Sequence, residues 1–357
     1  MKCLIIGRNR SATEQMKSFC KELVLAFDNS FANQRDLPEY NTNTVVYSKT
    51  NISRIWGVLS RLREIIKWQK QYNIDIIYTN TKWDMLAAKL ASLFFKRKVV
   101  LVSTNHNSYA WQNYRSVKLM SWLIKRSVDI YVPLASFVYN QLFSNGLAKK
   151  QLLLLPNTIE ARSWEYKESY QIHNPIRIVY VAYVYPAKNH DFIIKVLNEL
   201  SDKYSVEVDC YGDLDGYPDY VNDLKSAAKS LSTRKRFNLC GRIDNTQLRS
   251  ILKTYDIYLC PSKLEMSPVN ILEAQAAALP ILSANVGGVC DLIEEYQTGL
   301  LYKPENINDA CEKLITLFEN TDLRASLGVK ARRYVTDDYT ASIAGGQIKR
   351  RIETLNS

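Results

Sequence analysis

Short, almost uninterrupted apolar runs alternate with amphipathic stretches along the whole chain. In the first half the runs are Cys3–Gly7, Thr44–Ser48, Asp75–Asn80, Lys98–Thr104, Asp129–Leu134 and Leu152–Asn157. In the second they are Arg177–Val184, Val206–Gly212, Phe237–Gly241, Asp256–Ser262, Pro280–Ala284 and the short Gly299–Tyr302. A strand with one wet face alternates apolar and polar residues, whereas one buried on both faces reads as a continuous apolar run. The pattern therefore predicts an α/β fold of two Rossmann-like, doubly wound domains facing a cleft. Pro156, Trp164 and Pro175 bracket a polar segment that marks the boundary. The expected division is a first domain over 1–165, a second over 166–337, and a terminal helix over 338–357 that crosses back to the first, with Gly345-Gly346 as its weak point.

The most chemically suggestive stretch runs from Ser262 to Leu282. The strand ending at Cys260 leads into a loop carrying Glu265, and a helix opens at Ser267-Pro268 with Glu273 about a turn and a half inside it. Serine is a good N-cap, and proline suits the first helical position because its missing N–H has no intrahelical partner there anyway. A helix N-terminus at the carboxyl end of a strand is a ready anion site. Two carboxylates beside it suit a ligand that has both phosphates and sugar hydroxyls, as a nucleotide sugar does.

Composition adds limits. The seven cysteines are scattered and form no C-x-x-C pair; several sit inside apolar runs, which fits small buried hydrophobes in a reducing, intracellular compartment. The start of the chain does not look like a signal peptide, and Lys89 and Lys96-Arg97-Lys98 break the longest apolar stretches below membrane-spanning length. Charge is lopsided: residues 1–165 hold 24 Lys and Arg against 11 Asp and Glu, while residues 166–357 hold 23 against 25. The first half therefore expects a polyanionic partner, an anionic membrane surface or nucleic acid. No helix-turn-helix, zinc or RNP-like signature supports nucleic acid. Two basic stretches with tryptophan, Ile52–Lys70 (Ile52, Ile55, Trp56, Leu59, Leu62, Ile66) and Val117–Val128 (with Trp122), have helical apolar spacing that could lie in a headgroup layer or pack on the first sheet.

Other chemistries find less support. Gly7-Arg8-Asn9-Arg10-Ser11 after the first strand lacks the G-x-G-x-x-G of dinucleotide binding. Asp213-Leu214-Asp215 has the spacing of a D-x-D metal motif, but it reads as a turn after a strand; His173 and His190 read as surface residues, and no metal site is expected. Several features share one purpose. Lys188-Asn189 follows the second half's first strand, where a lysine could neutralise a diphosphate, and Gly212-Asp213, Gly241-Arg242-Ile243 and Gly287-Gly288 end later strands, where glycine admits close backbone approach.

This ordered series resembles the donor domain of family 4 retaining glycosyltransferases of the GT-B fold. Lys188-Asn189, Gly212-Asp213, Tyr255-Asp256, Pro261-Ser262, Glu265 and Glu273 in E-x7-E, Ala278-Leu279-Pro280, Val286-Gly287-Gly288 and Gly299-Leu300-Leu301 occur in the family's order. The first half is similar more loosely, through Asp75-Ile76-Ile77, Thr104-Asn105-His106, Val128-Asp129 and Leu155–Glu160. The resemblance implies transfer of a hexose or N-acetylhexosamine, with retention and without a metal or other cofactor, from a nucleotide diphosphate sugar, UDP-sugar first. The acceptor would be a glycan or lipid-linked glycan in surface polysaccharide assembly at the cytoplasmic face of a membrane. It implies that Glu265, Lys188 and His106 are catalytic: Glu265 on the donor sugar's hydroxyls, Lys188 on the leaving diphosphate, His106 on the sugar from the first domain. Glu273 would hold the ribose, and Ser267, Pro268, Val269, Gly212, Arg242, Ile243 and Tyr183 would complete the donor site. Two positions depart from the family: Tyr183 stands where a basic residue is common, and Met266 where glycine is. Either Arg242 or a basic residue of the first domain supplies the missing charge, or phosphate binding is weaker. A nonhydrolysing sugar-nucleotide epimerase and a catalytically silent sugar-nucleotide binder are the alternatives, although three histidines are few for the epimerase.

Overall fold

The computed structural model describes residues 1–6, 10–28, 43–47, 54–105 and 113–356. The chain forms two compact units, Met1–Pro156 with Ala341–Ser357, and Asn157–Thr340.

The first unit has strands β1 (Lys2–Ile6), β2 (Glu22–Asp28), β3 (Asn43–Tyr47), β4 (Ile76–Thr79), β5 (Val100–Thr104) and β6 (Ile130–Val132). They form one parallel sheet in the order β3-β2-β1-β4-β5-β6. Its helices are α1 (Arg10–Lys17), α2 (Arg54–Tyr72), α3 (Lys82–Ser92), α4 (Tyr114–Ser127) and α5 (Ser136–Ser144). Because β4, β5 and β6 follow one another in the same direction, right-handed crossovers put α3 and α4 on one face, and the reversed step from β1 to β2 puts α1 on the other. Two details depart from the apolar pattern. Glu22–Asp28 is a strand despite its charged ends, and Leu152–Asn157 is not one. Leu153 and Leu155 donate to the carbonyls of Tyr131 and Pro133, but Pro133 has no N–H to return, so the ladder stops there.

The second unit has β7 (Ile176–Val181), β8 (Val206–Tyr211), β9 (Lys235–Gly241), β10 (Ile257–Cys260), β11 (Ile281–Ala284) and β12 (Leu300–Tyr302), parallel and ordered β12-β11-β10-β7-β8-β9. Helices α6 (His190–Glu199), α7 (Pro218–Ala228), α8 (Asn245–Ile251), α9 (Val269–Ala276), α10 (Ile307–Glu319) and α11 (Thr321–Asp338) accompany them. Ile257 to Cys260 are all buried, as are Ile281 to Ala284, which is why these runs show no alternation. Residues 157–164 join this unit rather than the first: Ile159 N–H donates to the Tyr339 carbonyl at 3.0 Å, and Trp164 packs in the core.

The last helix, α12 (Ala341–Asn356), belongs to the first unit. Its Ala344, Ile348 and Ile352 are buried with Ala12 and Met16 of α1. The helix runs through both glycines, and Gly345 is a point of close approach rather than a weak point. A Cβ there would lie 2.0 Å from Ser18 Oγ and 2.2 Å from the Gln15 carbonyl. Among the described residues, no helix is long and apolar enough to cross a membrane.

Candidate active site

In the second sheet β7 and β10 are neighbours at the place where the winding reverses: β8 and β9 extend one way from β7, β11 and β12 the other from β10. Loops leaving such a pair diverge, and the crevice at the strands' carboxyl ends is the usual ligand site of this architecture. The loop after β7 carries Lys188 and the loop after β10 carries Glu265. Their side chains meet across the switch point, Lys188 Nζ to Glu265 Oε1 at 2.5 Å, with only 18% and 10% of the side chains exposed. Burial pulls the Lys188 pKa down, but the charge of Glu265 and its hydrogen bond outweigh it, and the net shift is upward. Lys188 is therefore a cation throughout the physiological range.

Both loops are pinned. Lys188 ends a single turn of 3-10 helix, Pro186–Lys188, and its carbonyl accepts from the Tyr180 hydroxyl at 3.2 Å. The same hydroxyl shares a 2.8 Å hydrogen bond with Ser262 Oγ, which ties the two loops through buried groups. Asn189, in the left-handed region at φ 60°, donates from Nδ2 to the Pro261 carbonyl at 3.0 Å and to Glu305 Oε1 at 2.9 Å. Glu265 is held by its own carbonyl, which accepts from Gly288 N–H at 3.0 Å. Gly287 lies flat on that carbonyl at φ +52°, where a Cβ would sit 2.0 Å from the oxygen.

The start of α9 differs from the expected cap. Ser267 does not cap the helix: the cap position is Pro268, no side chain caps it, and the helix begins at Val269. Ser267 is occupied elsewhere. Its Oγ accepts from Asn157 N–H at 2.8 Å and its carbonyl accepts from Asn157 Nδ2 at 2.7 Å. Ile271 N–H donates to the Pro268 carbonyl, and the N–H groups of Val269 and Asn270 are left to a ligand or solvent. Val269, Asn270 and half-buried Glu273 form the accessible stripe of α9, and Asn270 Nδ2 donates to the Val181 carbonyl at 2.8 Å, fixing the helix against the end of β7.

Beside this cluster a pocket of about 300 Å³ opens at the ends of β7, β8 and β9. Tyr183, Gly212, Arg242 and Ile243 line it, with Ala182 and Leu248. Tyr183 is 67% exposed. Arg242 pairs with Asp213 at 2.6 Å, which with the Asp215 N–H holds the Asp213 carboxyl below its usual range. Asp213 is thus a turn residue with a basic partner, and Arg242 reaches a ligand only by sharing its guanidinium with that carboxylate. Among the described residues no group of three or more His, Cys, Asp or Glu could hold a metal ion.

Lys188, Glu265, Ser267, Pro268, Val269 and Glu273 thus belong to the two switch-point loops and α9, and Tyr183, Gly212, Arg242 and Ile243 to the adjoining pocket. His106 lies outside the described residues. Asn157, Tyr180, Asn189 and Ser262 had no role assigned from sequence, yet they set the loop geometry. Asn157 offers a direct check. In Asn157→Ala the buried Ser267 carbonyl loses a partner, which should cost about 1–3 kcal/mol. Asn157→Asp should cost more, because a carboxylate oxygen would face that carbonyl. Urea denaturation of the three proteins should rank them Asn, Ala, Asp.

His190 is a correction. It is fully buried, its ring packs against Tyr180 with centroids 5.0 Å apart, and neither ring nitrogen has a partner among the described residues. Burial pushes its pKa from 6.5 down to about 4. Between those values the unfolded chain binds a proton that the folded chain refuses, so stability falls as the pH drops from 6.5 toward 4 and is unaffected above 6.5. At about 1.4 kcal/mol for each pH unit of displacement, the loss approaches about 3 kcal/mol near pH 4. Denaturation at several pH values should show this slope, and His190→Phe should flatten it.

Comparison with known proteins places this geometry. The fold is the GT-B fold: Anabaena HepE, solved with UDP and glucose, superposes with a TM-score of 0.81 at 18% identity, over 99% of this chain and 100% of that one. Residues 162–334 match Glycosyl transferases group 1 and residues 23–162 match Glycosyltransferase Family 4. The chain belongs to the family 4 glycosyltransferases of the group 1 type. An uncharacterised glycosyltransferase of Haemophilus influenzae is 25% identical over 288 residues, 80% of this chain and 77% of that one. A phosphatidylinositol N-acetylglucosaminyltransferase component of Arabidopsis thaliana is 23% identical over 274 residues, 75% of this chain and 60% of its own length.

Proposed function

We propose that the enzyme moves a hexose or N-acetylhexosamine, with retention and without a metal, from a nucleotide diphosphate sugar to a glycan or lipid-linked acceptor in surface polysaccharide assembly. UDP is the favoured nucleotide, since it is what HepE was solved with. The observation that carries this reading is the Lys188–Glu265 pair across the switch point. Without a donor each charge neutralises the other. On donor binding the diphosphate takes Lys188 and the first N–H groups of α9, while the sugar hydroxyls take Glu265. Lys188 then faces the negative charge that grows on the leaving diphosphate as the anomeric bond breaks; a fixed cation at that point is the largest contribution such a site can make. Glu273, one turn along the accessible stripe, accepts from the ribose hydroxyls, and the base occupies the pocket at Arg242 and Ile243.

A lipid-linked acceptor agrees with the name of the Arabidopsis relative and with the basic first half, and it puts the enzyme at the cytoplasmic face of a membrane. The test is turnover of a panel of labelled UDP-, GDP- and ADP-sugars. Slow hydrolysis of one of them, quickened by acceptor, is expected. Epimerised nucleotide sugar would instead indicate an epimerase, and binding with no turnover a silent partner, for which the uncharged Tyr183 is the one hint.

A further inference from the structure

The 44 residues from Met85 to Val128 contain eight lysines and arginines and not one aspartate or glutamate. In the first unit this span covers most of α3, β5 and α4, and α3 and α4 are neighbouring helices on one face of the sheet. Their inner sides are buried in the ordinary way, through Met85, Ala88 and Ala91 on α3 and Val117, Met120 and Ile124 on α4. Their outer sides are not polar. Leu90 on α3 is 41% exposed, Leu93 and Phe94 just past its end 71% and 67%, and Leu119 and Trp122 on α4 57% and 52%. Lys89, Lys96, Lys118 and Lys125 are exposed among them and take part in no ion pair among the described residues; Arg126 lies over the Trp122 ring at 4.6 Å.

We infer that this outer face of α3 and α4 is a docking surface for an anionic phospholipid bilayer. The charge alone would suit any polyanion. The apolar residues decide between them: a nucleic acid backbone rewards lysine and arginine but leaves Leu93 and Phe94 in water, whereas a bilayer accepts leucine and phenylalanine below the headgroups and basic side chains at their level. The Trp122–Arg126 pair has the amphipathic character that favours an interfacial position. Of the two stretches singled out by helical spacing, the surface includes Val117–Val128 on α4 and not Ile52–Lys70 on α2. In α2, Ile65 and Trp68 are buried, Leu62 and Ile66 are half-buried and Leu59 is 41% exposed, while Arg61 pairs with Asp84 of α3 at 2.9 Å; Ile52 lies outside the described residues. The inference deepens the lipid-linked acceptor reading by naming the partner surface, but it is measured without any sugar donor, so the two can fail separately.

The experiment is co-sedimentation of the full chain with vesicles of phosphatidylcholine alone and of phosphatidylcholine with 30% phosphatidylglycerol, at about 0.05 and 0.5 M salt. Binding should require the anionic lipid and weaken with salt. Leu93→Ser with Phe94→Ser should reduce it by about tenfold or more, as should Lys118→Glu with Lys125→Glu. Both double variants should keep the wild-type donor hydrolysis rate, since all four residues belong to the first unit and the donor-site residues to the second. Four results would overturn the inference: anionic vesicle binding that both double variants retain; no such binding at low salt; tighter binding to duplex DNA or RNA than to vesicles; or a dimer in solution that Leu93→Ser with Phe94→Ser dissociates, which would make the face a contact between copies of the chain.

Discussion

Lys188→Ala should lower kcat by about 10²–10³-fold, the usual loss when one charge-stabilising group is removed from a reaction centre. The same substitution should lower stability. It leaves the Glu265 carboxylate, 10% exposed, without its 2.5 Å partner. Breaking a buried ion pair from one side costs about 3–5 kcal/mol; the residual exposure of Lys188 brings the expectation to about 2–4 kcal/mol. The two effects can be separated. Lys188→Met combined with Glu265→Gln removes both charges at nearly constant shape, and should recover most of the stability while recovering none of the activity. Activity and urea midpoints measured on the two singles and the double give the result. If Lys188→Ala kept kcat within a few-fold of wild type, Lys188 would be a structural partner of Glu265 and nothing more.

Gly287→Ala is expected to have the second largest effect, although residue 287 carries no chemistry. The new Cβ would stand 2.0 Å from the Glu265 carbonyl oxygen, a backbone atom that Gly288 N–H holds in place, and φ +52° is itself unfavourable for alanine. Relief requires the Glu265 loop to move by about an ångström, and displacement of that size in a reaction centre costs about 10²-fold in rate. The predicted signature is a fall in kcat/KM of that order with a stability loss of about 2–3 kcal/mol. Full activity in this variant would show that the Glu265 loop tolerates displacement and that its tight seat on Gly287 is incidental.

Much of the fold could be read from the apolar runs, because strands buried on both faces announce themselves without needing a partner. Ile257–Cys260 and Ile281–Ala284 are of this kind. The misreadings have local causes. Leu152–Asn157 has the composition of a strand, but Pro133 on the neighbouring segment cannot return hydrogen bonds. Glu22–Asp28 begins and ends on a carboxylate, yet Leu23 to Ala26 between them are buried and Glu22 pairs with Lys2 of the neighbouring strand.

At the candidate site, sequence pointed to residue types and strand ends but not to pairings. Lys188 and Glu265 are 77 positions apart and Asn157 and Ser267 are 110 apart, so nothing in either neighbourhood indicates that they meet. Ser267 before Pro268 reads as a cap, yet the backbone N–H of the distant Asn157 takes its hydroxyl. His190 sits in the polar run Lys188-Asn189-His190-Asp191 and reads as exposed; only the Tyr180 ring behind it reveals that it is buried. The outer face of α4 shows the converse. The spacing of Val117–Val128 leaves open both a headgroup layer and the sheet; the helix buries Val117, Met120 and Ile124 and keeps Leu119 and Trp122 exposed.

The central claim is that the switch-point loops and α9 grip a nucleoside diphosphate, and calorimetric titration of UDP, GDP and ADP into the full chain tests it most directly. One of the three should bind, and Glu273→Gln and Lys188→Ala should each weaken that binding by about 10–150-fold, the equivalent of a charge-assisted hydrogen bond of about 1.5–3 kcal/mol. Binding of none of them, or binding that both substitutions leave unchanged, would contradict it.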